Sequence, residues 1–334
     1  MKDKILLAHG DGGLLTHHLI LEHFIRPFNN PILAQMADAA RIQVSTRDLA
    51  FTTDSFVINP IFFPGGDIGK LAVCGTVNDL AVSGAQPCFL AASFIIEEGF
   101  SLNDLDRIIS SMASTAATAG VAIVAGDTKV VERGSVDKIF VNTAGIGVFS
   151  PETILGVEKI EDGDVVIING CIGEHGMAVL SGREGLGFET SIISDCACLN
   201  QIIQELMARH ATIKFMRDPT RGGLAATINE IASASAKDIY LFEDKIPVSD
   251  EVRWAAEMLG MDPLYLANEG KFVIVASREE EKEIISSLRN HTLGRNAAAI
   301  GEIRKGSGNV YLKTCLGATK LIKMPVGQQL PRIC

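Results

Sequence analysis

Along the chain, apolar runs rich in β-branched residues alternate with stretches in which apolar positions recur every three or four residues. The first spacing marks strands and the second marks amphipathic helices. The first half reads KILLA, then helical LTHHLILEHFI; DLAFTTDSFV, then helical IGKLAVCGTVNDLAVSGA; FLAASFIIEE, then helical LNDLDRIISSMASTAATAG; and VAIVAGDTKV, then IFVNTAGIGVF. After SPETILGVEKIEDGD the pattern restarts with strand VVIING and helices over HGMAVLSGREG, DCACLNQIIQELMARH and GGLAATINEIASASA. Strand DIYLFE, helix EVRWAAEML, strand KFVIVAS, helix REEEKEIISSLRN and strands AAAIGEI and NVYLK complete it. Such interleaving predicts an α+β protein of mixed layers, with helices covering one or both faces of its sheets.

The turn Asp162-Gly163-Asp164 separates the two series, and 334 residues exceed what one compact core usually holds. The sequence therefore divides into an N-terminal domain, residues 1–155, a C-terminal α/β domain, 156–323, and a tail, 324–334. The tail, MPVGQQLPRIC, carries two prolines and a glycine and loses both periodicities. It reads as a mobile extended strap; its ten steps could span about 33 Å.

Composition narrows the functions. A net charge of −10 with no cluster of Lys and Arg disfavours nucleic acid and anionic membrane as partners. A nucleotide stays open, because a divalent cation can bridge carboxylates to phosphates. Seven scattered cysteines without a CxxC pair suit a reducing compartment, and no apolar run or leader pattern suggests a membrane span or secretion. The expectation is a soluble cytoplasmic protein.

Four acidic turns are candidates for chemistry: TTDSF with Asp54, TVNDLA with Asp79, AGDTKV with Asp127 and RDPTRGG with Asp218. Carboxylates at strand ends that converge can hold Mg²⁺ against a polyphosphate, although each Asp alone equally suits a cap or a turn. The glycine loops HGDGG, FPGGDIGKL and RGGL accompany them, the last two opening onto helices whose N-termini could bind an anion or simply turn the chain. Gly75, one helical turn before Asp79, implies that something approaches that helix closely. Lys129 and Glu269 lie in turns where solvated side chains are ordinary. Cys334, a terminal thiol, could carry a covalent group; it is not fourth from the end, as prenylation requires.

Together LAHGDGG, TTDSFVINPIFFPGGDIGKLAVCGTVNDLAVSGAQP, AGDTKVV, HGMAVLSGREGLGFE, RDPTRGGLA and the ending LPRIC resemble the HypE family of hydrogenase maturation factors over essentially the whole chain. The wider PurM-like superfamily, which includes aminoimidazole ribonucleotide synthetase, selenophosphate synthetase and thiamine monophosphate kinase, shares the internal motifs but not the PRIC ending. Asp11 departs from the family's HGSGG. The resemblance implies a two-domain PurM-like fold and a homodimer that joins its N-terminal sheets with ATP near the junction. It also implies a carboxamide on Cys334 donated by the carbamoyltransferase HypF, dehydrated with ATP to a cyano group, and passed to a HypC–HypD scaffold.

Carried over by motif, Asp54, Asp79, Asp127 and Asp218 would hold Mg²⁺ and phosphates, with Lys70, Thr128 and Asn268 around the nucleotide. Lys129 would stabilise developing charge and Glu269 would be the general base. A small-molecule synthetase like selenophosphate synthetase is the competing enzyme reading, and it would make Cys334 incidental. A non-catalytic cysteine carrier gated by ATP is the third. Absence of a Cys-Lys pair in the N-terminal loop counts against the synthetase.

Overall fold

The structure, a computed structural model, describes residues 4–9, 14–35, 42, 44, 48–150, 155–183, 190–325, 330 and 332–334. The HGDGG loop beyond His9, residues 184–189 of the HGMAVLSGREGLGFE run, and 326–329 and 331 of the tail lie outside the described residues. Two sheets organise the chain. The first contains β1 (Leu49–Phe56), β2 (Gln86–Glu97), β3 (Ala122–Val131) and β4 (Ile139–Val148), in the order β1-β4-β2-β3. Only β2 and β3 run parallel, joined by the crossover helix α2 (Leu102–Ala119).

The second sheet has seven strands: β5 (Val165–Ile168), β6 (Ile213–Arg217), β7 (Lys237–Phe242), β8 (Val273–Ala276), β9 (Ala298–Lys305), β10 (Val310–Lys313) and β11 (Thr319–Ile322). Their order is β11-β10-β7-β9-β5-β8-β6. Strands β5 and β8 are buried along their whole length, which is why VVII and VIVA show no alternation. Among the described residues no helix is long and apolar enough to cross a membrane.

Helix α1 (Ile68–Val82) fixes the geometry between the two lobes. Thirteen of its fifteen residues are buried, so it has no polar face to give it a period. One side packs on β1 and β4, and another meets α4 (Asn200–Met207) of the second lobe. Gly75 is the close approach expected from the sequence. A Cβ there would stand 2.8 Å from the Phe56 ring and 3.6 Å from Asp54 Oδ2. The glycine thus lets α1 lie directly on the strand that carries Asp54.

Three local expectations change. KILLA is no strand; Lys4 makes a lone bridge to Ser101, and Leu7–His9 forms a 3₁₀ turn. Helical LTHHLILEHFI is broken into Leu14–Leu19, a π-helical turn Ile20–Ile25, and Arg26–Phe28. DCACLNQIIQELMARH becomes helix only from Asn200. Its first five residues are recruited elsewhere: the Asp195 carboxylate accepts from the backbone of Glu269 and Gly270, and the Asn78 side chain accepts from Leu199 N–H and donates to Ala197 O. Tertiary bonds have outbid helical ones.

Candidate active site

The second half of β1, α1, the turns around Asp218 and Glu269, and the end of the chain enclose a cavity of about 30 Å³ lined by Asp54, Asp79, Asp218, Glu269, Arg221 and Cys334. That is room for about two waters, or for a small group borne on the sulfur. Asp79 and Asp218 also border a wider cleft of about 380 Å³ whose walls include Val82, Leu155, Phe215 and Met216. Acid therefore sits between a small polar chamber and a larger, partly apolar one.

The carboxylates strain against one another. Burial, then the charges of Asp79 and Asp54, push Asp218 up to about 7. Burial also raises Asp79, which accepts from Thr52 Oγ1 at 3.0 Å and feels Asp54. Asp54 is raised by burial too, partly offset by Arg221, whose Nη2 is 3.9 Å from its Oδ1. A divalent cation would relieve all three, so the donor set fits Mg²⁺. Among the described residues no three acidic, imidazole or thiol groups close on one point. This matches a metal taking one or two carboxylates and completing its shell with phosphate oxygens and water.

A pH dependence follows. Because the folded value of Asp218 lies above its unfolded value of about 3.9, its protonated form is the one folding favours. Its contribution is complete below about 3.9 and is lost as pH rises through about 7. In metal-free protein, denaturation midpoints should fall across that window, and Asp218→Asn should flatten the fall. An equally steep profile in the variant would contradict the assignment.

Glu269 is 3% exposed. Its carboxyl is raised well above the usual range by burial first, then by Cys196, Asp218, Asp195 and Asp54. Its main chain is held on both sides: N–H to Asp195 Oδ1 at 3.1 Å, and O from Asn78 Nδ2 and Ala197 N–H, each at 3.3 Å. Asp195 is itself buried, yet the Lys271 ammonium keeps its carboxyl below the usual range. Lys271 Nζ bridges Asp195 at 3.0 Å and Glu174 at 3.1 Å. A buried ion pair thus stands behind Glu269.

The tail expected to be mobile is docked at its end. Cys334 is 7% exposed, and Ile333 joins the same apolar cluster. Val57 N–H donates to Cys334 O at 3.3 Å and Asn59 N–H to Arg332 O at 3.1 Å, so the tail lies along the chain that continues β1. Arg332 bonds Val57 O and Asp137, while Leu330 packs where the two lobes meet. Burial and the Glu269 carboxylate push the Cys334 thiol far up. Docked, it stays protonated and is a poor nucleophile.

The structure brings together Asp54, Asp79, Asp218, Glu269 and Cys334. The remaining expected residues lie elsewhere within one chain. Asp127 pairs with Ser93 and Lys129 with Ile95 on β3, three strand spacings, roughly 14 Å, from β1. They occupy the face of the sheet away from α1, where Lys129 Nζ bonds Asp127 at 2.9 Å in solvent and Thr128 N–H bonds the same carboxylate. Lys70 Nζ bonds Gly65 O, and the start of α1 is already capped by Asp67. An anion has no vacant amides there. Asn268 is wholly buried, with its amide saturated by Gly173 N–H, Pro219 O and Leu266 O; it braces the Asp218 turn. By contrast, α5 (Gly223–Ser235) begins beside the cavity at Gly222 with no side-chain cap. Of the two glycine loops, RGGL is the one that opens a helix without a side-chain cap, with Gly223 N–H donating to Thr220 O at 2.9 Å. Arg221, Asp195, His175 and Lys271 were not singled out from sequence; each reads there as an ordinary turn or helix residue.

Two adjoining segments match the AIR synthase related protein families: residues 36–149 the N-terminal domain and 161–313 the C-terminal domain. The carbamoyl dehydratase HypE of Azotobacter vinelandii is 46% identical over 332 residues, 99% of this chain and 97% of its own. The chain belongs to the HypE family. HypE of Escherichia coli K12 is likewise 46% identical, over 99% of this chain and all of its own length. A crystal structure of HypE in complex with ATP superposes with a TM-score of 0.95 at 45% identity, covering 98% of this chain and 99% of that one. HypE in a HypE–HypF complex gives 0.81 at 49% identity over 92% of this chain and 99% of that one. The fold is PurM-like, as expected from sequence. Thiamine monophosphate kinase of Aquifex aeolicus, at 17% identity and a TM-score of 0.59, shares that fold alone.

Proposed function

We propose that the protein dehydrates a carboxamide borne on its own Cys334, using ATP, to give a protein-bound thiocyanate. One observation carries the reading: Cys334 is buried in a chamber whose walls include Glu269, Arg221 and three aspartates. A thiol has no structural reason to be threaded into a site where burial and neighbouring carboxylates raise its pKa.

The amide oxygen of S–C(=O)–NH₂ is a poor leaving group. Attack of that oxygen on the γ-phosphorus of ATP breaks the bond to ADP and makes the oxygen part of a phosphate ester. Removal of the N–H protons then forms the C≡N bond, and the C–O bond breaks with release of phosphate. One or two of Asp54, Asp79 and Asp218 would hold Mg²⁺, which would offset charge on the phosphates. Glu269, beside the sulfur and with a raised proton affinity, takes an N–H proton. Arg221, at the junction of Asp54 and Cys334, stabilises the transferring group. The polyphosphate would lie between Asp79, Asp218 and the start of α5, with the base in the cleft of Val82, Leu155, Phe215 and Met216.

A homodimer gives Asp127, Thr128 and Lys129 their place. The face of the first sheet away from α1 presents Phe51, 71% exposed, with Leu49 and Ile95. Among the described residues β1 and β3 are the outer strands of the first sheet, each paired on one side. Two sheets joined edge to edge would set β3 of the partner subunit, with Asp127 and Lys129, beside β1. The docked thiol is sealed and protonated, so loading by a HypF-type carbamoyltransferase and delivery to a HypC–HypD type acceptor require the tail to swing out. HypE was crystallised in complex with HypF, which supports the first partner.

Intact-mass measurement tests the reading. Protein carbamoylated at Cys334 should lose the mass of one water on addition of MgATP, and Cys334→Ala should show no change. Unchanged mass with ATP bound would favour a carrier. ATP turnover on a free small molecule, undiminished in Cys334→Ala, would favour the synthetase.

A further inference from the structure

The docked tail is gripped mainly through its backbone, and the deepest contact comes from a histidine with no other evident task. His175, the second residue of α3 (Glu174–Ser181), is 0% exposed. Its ring stands edge-on to Phe63, with centroids 5.4 Å apart. Its Nε2 lies 2.9 Å from the carbonyl oxygen of Ile333, one residue before the sulfur. A carbonyl only accepts, so Nε2 carries the proton and Nδ1 is the acceptor, facing the Ser194 hydroxyl at 2.8 Å. Ser194 Oγ in turn accepts from Cys196 N–H at 3.0 Å. Donor and acceptor roles are therefore fixed from Cys196 through to the tail, and burial keeps the ring neutral by lowering its pKa.

Withdrawal of the tail would leave Nε2–H buried without a partner, which makes docking favourable at this one peptide. The residue that follows Ser194 is Asp195, whose carboxylate holds the backbone of Glu269. One short segment thus supports both the grip on the tail and the placement of the base.

We propose that His175 is a positioning residue: it recognises the docked tail through the Ile333 carbonyl and sets the register that places Cys334 beside Glu269. Because it reads a backbone oxygen, it measures where the peptide lies and not which side chain it bears. The consequence for dehydration rests on the reading above that Cys334 carries the substrate; the consequence for docking does not.

The test uses full-length protein and two substitutions. His175→Phe removes the donor and keeps the ring. His175→Gln places an amide N–H near the position of Nε2. The first readout is alkylation of Cys334 by iodoacetamide, followed in the C-terminal peptide by mass. His175→Phe should react about tenfold faster or more, the order expected for a lost buried hydrogen bond, and His175→Gln should stay near the parent. The second is dehydration of carbamoylated protein: His175→Phe should lower kcat by a similar factor with KM for ATP unchanged, and His175→Gln should recover most of it. If His175→Phe does not fold, His175→Asn, whose amide reaches only the Nδ1 position, replaces it. Unchanged thiol protection in a folded Phe or Asn variant overturns the proposal, as does equal deprotection by Gln. Altered protection in protein that never dehydrates would uphold the grip and refute the function, so the two failures are distinguishable.

Discussion

Glu269→Gln should leave the chain folded and able to bind ATP, and should slow water loss from carbamoylated Cys334 by about 10²–10⁴-fold, the usual worth of a positioned general base. The substitution keeps the shape and buried position of the side chain, and the main-chain bonds to Asp195, Asn78 and Ala197 do not involve it. Only the proton acceptor is lost. In this chamber the change even removes a carboxyl that burial and neighbouring acids oppose ionising, so stability should hold or rise. Single-turnover mass measurements give the rate, and denaturation gives the control. Dehydration at the parent rate would remove Glu269 from the chemistry.

Lys271→Ala should lower stability by about 3–5 kcal/mol, the penalty for breaking a buried pair by deleting one partner. Asp195 would be left buried with its main counter-charge gone, and Glu174 would lose the same ammonium. The sign with pH is defined. Asp195 is held below its free value, so its contribution is present above about 4 and lost as pH falls through the folded value. The variant should therefore lack part of the parent's acid sensitivity. Because Asp195 also holds the backbone of Glu269, the loss should extend to activity. Urea midpoints as a function of pH check both; a change below about 1 kcal/mol would mean the pair is effectively solvated.

Much of the site was legible because its residues sit where strand meets turn. Asp54, Asp79, Asp218, Glu269 and Cys334 are all candidates on sequence grounds, and they share one chamber. Gly75 correctly announced the contact with Phe56. What sequence could not supply is the order of strands and the face each carboxylate points to. Asp54 pairs with Thr143, whereas Asp127 pairs with Ser93, the partner of Asn142. That one-residue offset puts Asp54 and Asp127 on opposite faces. The loop before Lys70 looks open to an anion in the sequence, while in the fold Asp67 takes the amides of Gly69 and Lys70. Asp195 to Leu199 carry helical spacing, but Asn78, Glu269 and Gly270 claim that segment. His175 and Lys271 give no signal because a buried charge or imidazole is recognisable only beside its partner.

The central claim is that the carboxamide oxygen leaves as phosphate from a tail docked beside Glu269. Labelling the carbamoyl group on Cys334 with ¹⁸O and adding MgATP tests it directly. The account predicts one labelled oxygen in the inorganic phosphate for each thiocyanate formed. Label recovered in water, or still on the protein after ATP is consumed, would contradict it.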